Sequence, residues 1–96
     1  MYEIRYIPEA IEDLKRYGRR DRRRMMDQID SSLKHEPERE TRNNKALRPN
    51  RLAERELRIG RFRVFYDIEA GKTVKIEAVG HKRGNCLYIG GEEFQL

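Results

Sequence analysis

The apolar residues of this chain change their spacing once, near residue 54, and that change decides what the chain can fold into. Before it, Ala10, Ile11, Leu14 and Tyr17, then Met25, Met26, Ile29 and Leu33, recur at the three- to four-residue interval of a helix face. After it, Leu57 and Ile59, then Phe62, Val64, Tyr66 and Ile68, then Val74, Ile76 and Ala78 follow the two-residue interval of strands. The boundaries are marked by backbone chemistry. Tyr2 to Ile7 read as an opening strand, and Pro8 suits a first helical turn whose positive end is met by Glu9, Glu12 and Asp13. Gly18 ends that helix. A second is capped by Asp21 and runs to about His35, with Pro37 just beyond it. Residues 36–53 hold Pro37, Asn43, Asn44, Pro49 and Asn50 among few apolar side chains, which reads as an exposed loop rather than a third helix. Gly60 and Ala70-Gly71-Lys72 mark turns, and a short last strand lies either near Leu87 to Ile89 or at Glu93 to Leu96.

The predicted class is α+β: an N-terminal strand, a helical hairpin, then an antiparallel three- to four-stranded sheet with both helices on one face. Residues 1–96 are expected to form a single domain, since that length supports one hydrophobic core and not two. With 36% hydrophobic residues, 41% charged and no Trp, that core must be thin, so a partner is expected to add to its stability. No apolar run reaches the roughly 20 residues of a membrane span, and Met1-Tyr2-Glu3-Ile4-Arg5 lacks the layout of a signal peptide. The expected location is cytoplasmic, with no membrane partner. One cysteine, Cys86, excludes an internal disulfide, and with two distant histidines, His35 and His81, it gives no metal-ligand spacing. Neither a metal nor a small-molecule cofactor is expected. The glycines at 80 and 84 do not form a nucleotide-binding loop, because the phosphate-loop spacing and the following Ser or Thr are missing.

Charge is unevenly placed. Residues 15–24 hold seven cations and one anion, a local balance of +6 against +5 for the whole chain. Such a stretch attracts a polyanion, RNA, DNA or an acidic protein segment, or else serves as a solvated helix surface that keeps a thin-cored domain soluble. Strand parity supplies a second basic surface. If Phe62, Val64, Tyr66 and Ile68 pack under the helices, then Arg61, Arg63 and Phe65 point away. Applied to the neighbouring strands, parity sends Glu56 and Arg58 out, with Lys75, Glu77, Val79 and His81 beside them. That face offers guanidinium forks for phosphate and, in Phe65, a ring for a base. Its plainer reading is cross-strand pairing of Arg and Lys with Glu54, Glu56 and Glu77.

The run Glu56-Leu57-Arg58-Ile59-Gly60-Arg61-Phe62-Arg63-Val64-Phe65-Tyr66, followed by Val79-Gly80-His81-Lys82-Arg83-Gly84-Asn85-Cys86-Leu87-Tyr88, resembles the RelE/ParE toxin superfamily. The opening strand and helical hairpin fit the same family. The resemblance implies a toxin of a type II toxin-antitoxin system held inactive by a cognate antitoxin protein. The superfamily includes metal-independent, ribosome-dependent mRNA endonucleases and non-enzymatic inhibitors of DNA gyrase. The first implies mRNA and the ribosome as partners, with the basic helix patch docking on ribosomal RNA, and the second implies gyrase. A third possibility is a non-toxic relic that only binds its antitoxin.

For the endonuclease, the resemblance gives catalytic positions to Arg63, as the sheet arginine on the scissile phosphate, to Lys82 at the strand end, and to Tyr88 six residues later, which reads equally as a core aromatic. Arg58 and Arg61 are the accompanying RNA-binding cations, and Lys45 and Arg48 are loop cations able to reach the substrate. His81, with an ordinary pKa of about 6.5, is an acid-base candidate or a turn residue bonded to backbone. The sequence departs from the best-known RNA-cleaving branch at Glu54 and Glu56, where that branch has two lysines, so the usual general base and one cation are missing there. Other branches use a Glu and His pair. Parity favours His81 on the outer face and family position favours Lys82.

Overall fold

The computed structural model describes residues 1–96. The chain runs β1 (Glu3–Tyr6), α1 (Pro8–Lys15), α2 (Arg19–Leu33), β2 (Asn44–Ala46), β3 (Arg55–Ile59), β4 (Phe62–Glu69), β5 (Thr73–Arg83), β6 (Cys86–Ile89) and β7 (Glu92–Phe94). Strands β2 to β7 form an antiparallel meander in chain order, and β1 adds parallel to β5. The class is the expected α+β, with a wider sheet than the central hairpins alone. Both short C-terminal segments became strands, and the loop of residues 36–53 contributes β2.

Both helices lie on one face. Ala10 and Leu14 of α1 and Met25, Ile29 and Leu33 of α2 are buried against Leu57, Ile59, Phe62, Val64, Tyr66, Val74, Ile76 and Val79. Met26 does not belong to this stripe and is 43% exposed, because only Met25 keeps the four-residue interval to Ile29 and Leu33. Asp21 is not the cap of α2. Gly18, in extended conformation, precedes the first turn, and Asp21 lies inside that turn, its charge set against the positive end of the helix.

Strand β5 organises the sheet. One of its edges pairs with β4 along its length, while the other is shared, with β1 on Thr73–Ile76 and β6 on Gly80–Arg83. Between those partners the Val79 N–H has no strand to bond, and the Asp13 carboxylate of α1 accepts it at 3.0 Å. Burial pushes the Asp13 carboxyl up from its usual range, against that hydrogen bond and Arg16, which pull it down. The junction thereby anchors α1 to the sheet.

A β-bulge between Phe65 and Tyr66 leaves Glu77 without a cross-strand partner, since Phe65 pairs with Ala78 and Tyr66 with Ile76. Simple alternation fails there. Ala78 turns to the outer face, Val79 enters the main core, and His81 faces the helices while Lys82 faces away. Phe65 is not exposed: it is fully buried in a second cluster with Ala53, Ala78 and Leu87, flanked by Leu47, Leu52, Ile89 and Phe94. The segment of residues 47–53 and β7 therefore roof part of the outer face. Asn50 holds that segment, its Oδ1 accepting the Leu52 and Ala53 N–H groups and its Nδ2 donating to the Arg48 and Ala53 carbonyls.

Beneath the other end of the sheet, the fully buried Tyr66 hydroxyl lies 2.6 Å from the Pro37 carbonyl and 2.7 Å from Asn44 Oδ1, and it accepts a bond from Arg55 Nε. This network ties the loop after α2 to the sheet. No helix is long and apolar enough to cross a membrane.

Candidate functional site

The outer face carries a hollow of about 370 Å³ where five strands and the C-terminus meet. Lys45 of β2, Glu56 and Arg58 of β3 and Lys82 of β5 line it, with Leu87 of β6 and Phe94 of β7 as apolar walls. Strand register produces the arrangement. Lys45 stands across from Glu56, Arg58 from Arg63, and Lys82 from Leu87. Each partner lies on the face that the two-residue period and the single bulge assign to it.

Glu56 is buried at 4% exposure, an uncommon position for a carboxylate, and its Oε1 lies 3.2 Å from Arg58 Nε. A carboxylate in that position must be matched by positive charge, and the cations around it supply the match. Arg63 is held against its own turn: Nη1 donates to the Gly60 carbonyl at 2.7 Å and to the Phe62 carbonyl at 2.9 Å. Its Nε is buried without a partner. Burial pulls the Arg63 guanidinium below its ordinary value, Glu56 opposes that and Arg58 adds to it, yet a guanidinium stays charged throughout the working range. The hairpin behind this has Gly60 at φ +59° followed by Arg61, a two-residue turn that needs glycine first.

Gly80, directly across from Arg63, permits the close approach of β6, because a Cβ there would sit 2.3 Å from the Tyr88 carbonyl oxygen. Its structural use is to let two strands meet beside the site.

The expected site residues do not converge on one face. Arg58, Arg63, Lys82 and Lys45 share the outer face, and Arg48 lies next to them on the loop, where it lines a neighbouring hollow with Lys45 and Leu47. His81 and Tyr88 are on the helix side, contrary to the outer position that parity gave His81, because the bulge at Glu77 reverses alternation in the second half of β5. Tyr88 pairs with His81 and not with Lys82, and the two rings stack at 5.5 Å with 17° between their planes. The Tyr17 hydroxyl lies 2.7 Å from His81 Nδ1, so His81 bonds a side chain rather than backbone. Burial pulls the His81 imidazole below its ordinary pKa, and Arg61 and Arg83 add to the effect. Arg61 also leaves the expected outer face. It sits in the turn, over the Phe62 ring at 4.4 Å, and reaches Asp21 of α2 at 3.5 Å.

Glu56 is the residue that sequence reasoning missed as a positive contributor. It entered as a departure from a lysine and as a partner that neutralises the outward Arg and Lys side chains, and its i, i+2 spacing to Arg58 on one strand face does pair the two. A larger hollow, about 810 Å³ under residues 46–55, has its charges internally balanced, with Arg48, Arg51 and Arg55 sharing it with Glu54, Asp67 and Glu77. Burial raises the Glu77 carboxyl and so does its bond with Asp67, while Lys75 lowers it. No group of three or more His, Cys, Asp or Glu side chains converges as a metal site requires.

The sequence matches the family described as ParE toxin of type II toxin-antitoxin system, parDE, over residues 4–85. Among solved structures, the fold is similar to a chain in the crystal structure of the toxin-antitoxin complex RelBE2 from Mycobacterium tuberculosis. The TM-score is 0.69 and the identity 28%, covering 84% of this chain and 98% of that one. No curated protein gives a significant match to the sequence.

Proposed function

The chain belongs to the ParE toxin family of type II toxin-antitoxin systems, within the RelE/ParE superfamily, and from that premise we propose that it is a ribosome-associated mRNA endonuclease of the cytoplasm that uses its outer-face hollow. The observation that carries this reading is the enclosure of one buried carboxylate, Glu56, by Lys45, Arg58 and Lys82 in a single hollow with Arg63 alongside. RNA supplies its own nucleophile. A 2'-hydroxyl attacks the adjacent phosphorus, the bond to the 5'-oxygen breaks, and the products are a 2',3'-cyclic phosphate and a 5'-hydroxyl.

Glu56 takes the 2'-hydroxyl proton, Arg58 and Arg63 hold the non-bridging oxygens as charge builds on the phosphorane, and Lys82 delivers a proton to the departing oxygen. Three cations at one phosphate also offset the repulsion between RNA and the Glu56 carboxylate. In this assignment His81 and Tyr88 do not touch the scissile phosphate, since they lie across the sheet from Arg63. The partner that silences the chain is an antitoxin, as in the similar toxin-antitoxin complex, laid as a helix or added strand where it neutralises basic surface and covers apolar surface.

Induced expression in bacteria with primer extension on a reporter mRNA tests the reading. Growth arrest with discrete cuts, both lost in Arg63→Ala and in Lys82→Ala, is the expected result. A second reading, non-enzymatic inhibition of DNA gyrase, draws support from the ties on Arg63 and Arg58, whose guanidiniums already hold protein acceptors. Arrest with intact mRNA and broken DNA would favour gyrase, and absence of arrest would favour a relic that only binds antitoxin.

A further inference from the structure

We infer that the hollow between Tyr17, Arg61, His81 and Arg83 on the helix side is a second RNA subsite, which holds the stretch of single strand next to that in the outer-face hollow. The inference rests on RNA being the ligand of that outer hollow. The two hollows share one wall: Lys82 lines both, standing at the edge of the β5–β6 hairpin where the faces meet. A strand leaving the outer hollow passes over Lys82 and enters a space of about 280 Å³ ringed by Arg61, Arg83 and His81. Only a single strand can follow such a bend over one hairpin without paying the deformation cost of a duplex.

The chemistry of the second hollow suits a phosphate and its attached nucleoside. His81 Nδ1 is engaged by the Tyr17 hydroxyl, while Nε2 makes no hydrogen bond in the protein. When Tyr17 donates to Nδ1, Nε2 carries the proton and is a donor with no protein acceptor. Arg83 is exposed and has no ion pair, and Arg61 is 59% exposed with one long contact to Asp21. Tyr17, His81 and Tyr88 form a half-buried ring cluster against which a ribose or base can lie.

Cations continue past the hollow. Arg24 lies against the Gly60 turn and Arg16 against Gly91, and none of Arg16, Arg19, Arg20, Arg22, Arg23 or Arg24 has an ion-pair partner. An acidic peptide could answer the charge, but it makes no use of the ring cluster, and so RNA is the occupant that accounts for both.

The test is binding of two uncleavable oligouridylates of 2'-deoxy chemistry, a trinucleotide and a 12-mer, by fluorescence anisotropy across a salt series. Wild type is compared with the double variant Arg61→Gln/Arg83→Gln and with Arg63→Ala, each checked for an unchanged thermal melt. The double variant is expected to bind the 12-mer about tenfold more weakly and to lose about 1.4 from the salt slope, two phosphate contacts at roughly 0.7 each. Its affinity for the trinucleotide is expected to be unchanged. The 12-mer, and not the trinucleotide, should shift the His81 imidazole resonances.

Equal 12-mer affinity and slope in the double variant would overturn the subsite. So would a loss confined to an acidic peptide such as oligoglutamate, which would assign the hollow to a protein partner. Failure of Arg63→Ala to weaken the trinucleotide would instead overturn the outer-face reading, and the shared strand path with it.

Discussion

The Tyr66 hydroxyl is one oxygen serving three partners, and its removal shows how a single buried polar atom holds a loop. In Tyr66→Phe the Asn44 side chain and the Pro37 carbonyl lose a bond in a buried setting, which costs about 1–3 kcal/mol. A melt should fall by several degrees, given the roughly 4–8 °C per kcal/mol of a domain this size. His81 gives a second residue-scale prediction. Its pKa is depressed in the fold, so the unfolded chain binds the proton more readily. The contribution is fully present above the unfolded value of about 6.5 and is lost as pH falls through the lower folded value. Denaturant titrations from pH 7.5 down to about 5 should therefore show a steeper acid loss in wild type than in His81→Gln. Sequence exposed some of this and hid the rest. Tyr66 was legible as an inward residue by parity, but its partners Pro37 and Asn44 come from a loop 22 to 29 positions away, and no local pattern signals such a bond. Arg58, Arg63 and Lys82 were legible as basic residues on the strands, while Glu56 was legible as an outward charge partner and a departure from lysine but not as a base.

At the scale of elements, the helix-to-strand switch in spacing gave both helices and the central strands, because those elements bury continuous apolar faces. The strands β2, β6 and β7 have three or four residues each and little alternation of their own, so pairing with neighbours defines them. The bulge at Glu77 was the costliest omission. One unpaired residue exchanged the faces of His81 and Lys82 and settled their conflicting placements in favour of Lys82 on the outer side, while the roof of residues 47–53 and β7 buried the expected stacking ring, Phe65. Nothing in the composition of Ile76-Glu77-Ala78 marks it, since no glycine or proline is present. The junction of β1 and β6 on β5 predicts a contrast between two substitutions. Asp13→Ala leaves the Val79 N–H without its acceptor and should destabilise by about 1–3 kcal/mol. Asp13→Asn keeps an acceptor and removes a charge whose pKa is raised in the fold. Such a group contributes least when ionised, above its folded pKa, so at neutral pH the Asn variant should match or exceed wild type in denaturant unfolding.

For the whole molecule, 21 of 96 residues are buried, and the fold carries a net charge of +5 with six unpaired arginines on its helical side. A thin core under self-repelling charge is a state that a bound polyanion or an antitoxin stabilises by mass action. The sheet then acts as a partition with different chemistry on its two sides, a carboxylate among cations outside and a Tyr-His-Tyr cluster inside, meeting only at Lys82. The proposed mechanism makes one claim above others, that catalysis belongs to the outer side. The direct measurement is the single-turnover rate of mRNA cleavage on programmed ribosomes by purified wild type, Glu56→Gln and His81→Gln. Loss of a general base predicts a fall of about 10²–10⁴-fold for Glu56→Gln, with His81→Gln retaining cleavage at the bound site. Full cleavage by Glu56→Gln, with abolition in His81→Gln, would contradict the claim and move the chemistry to the helix side.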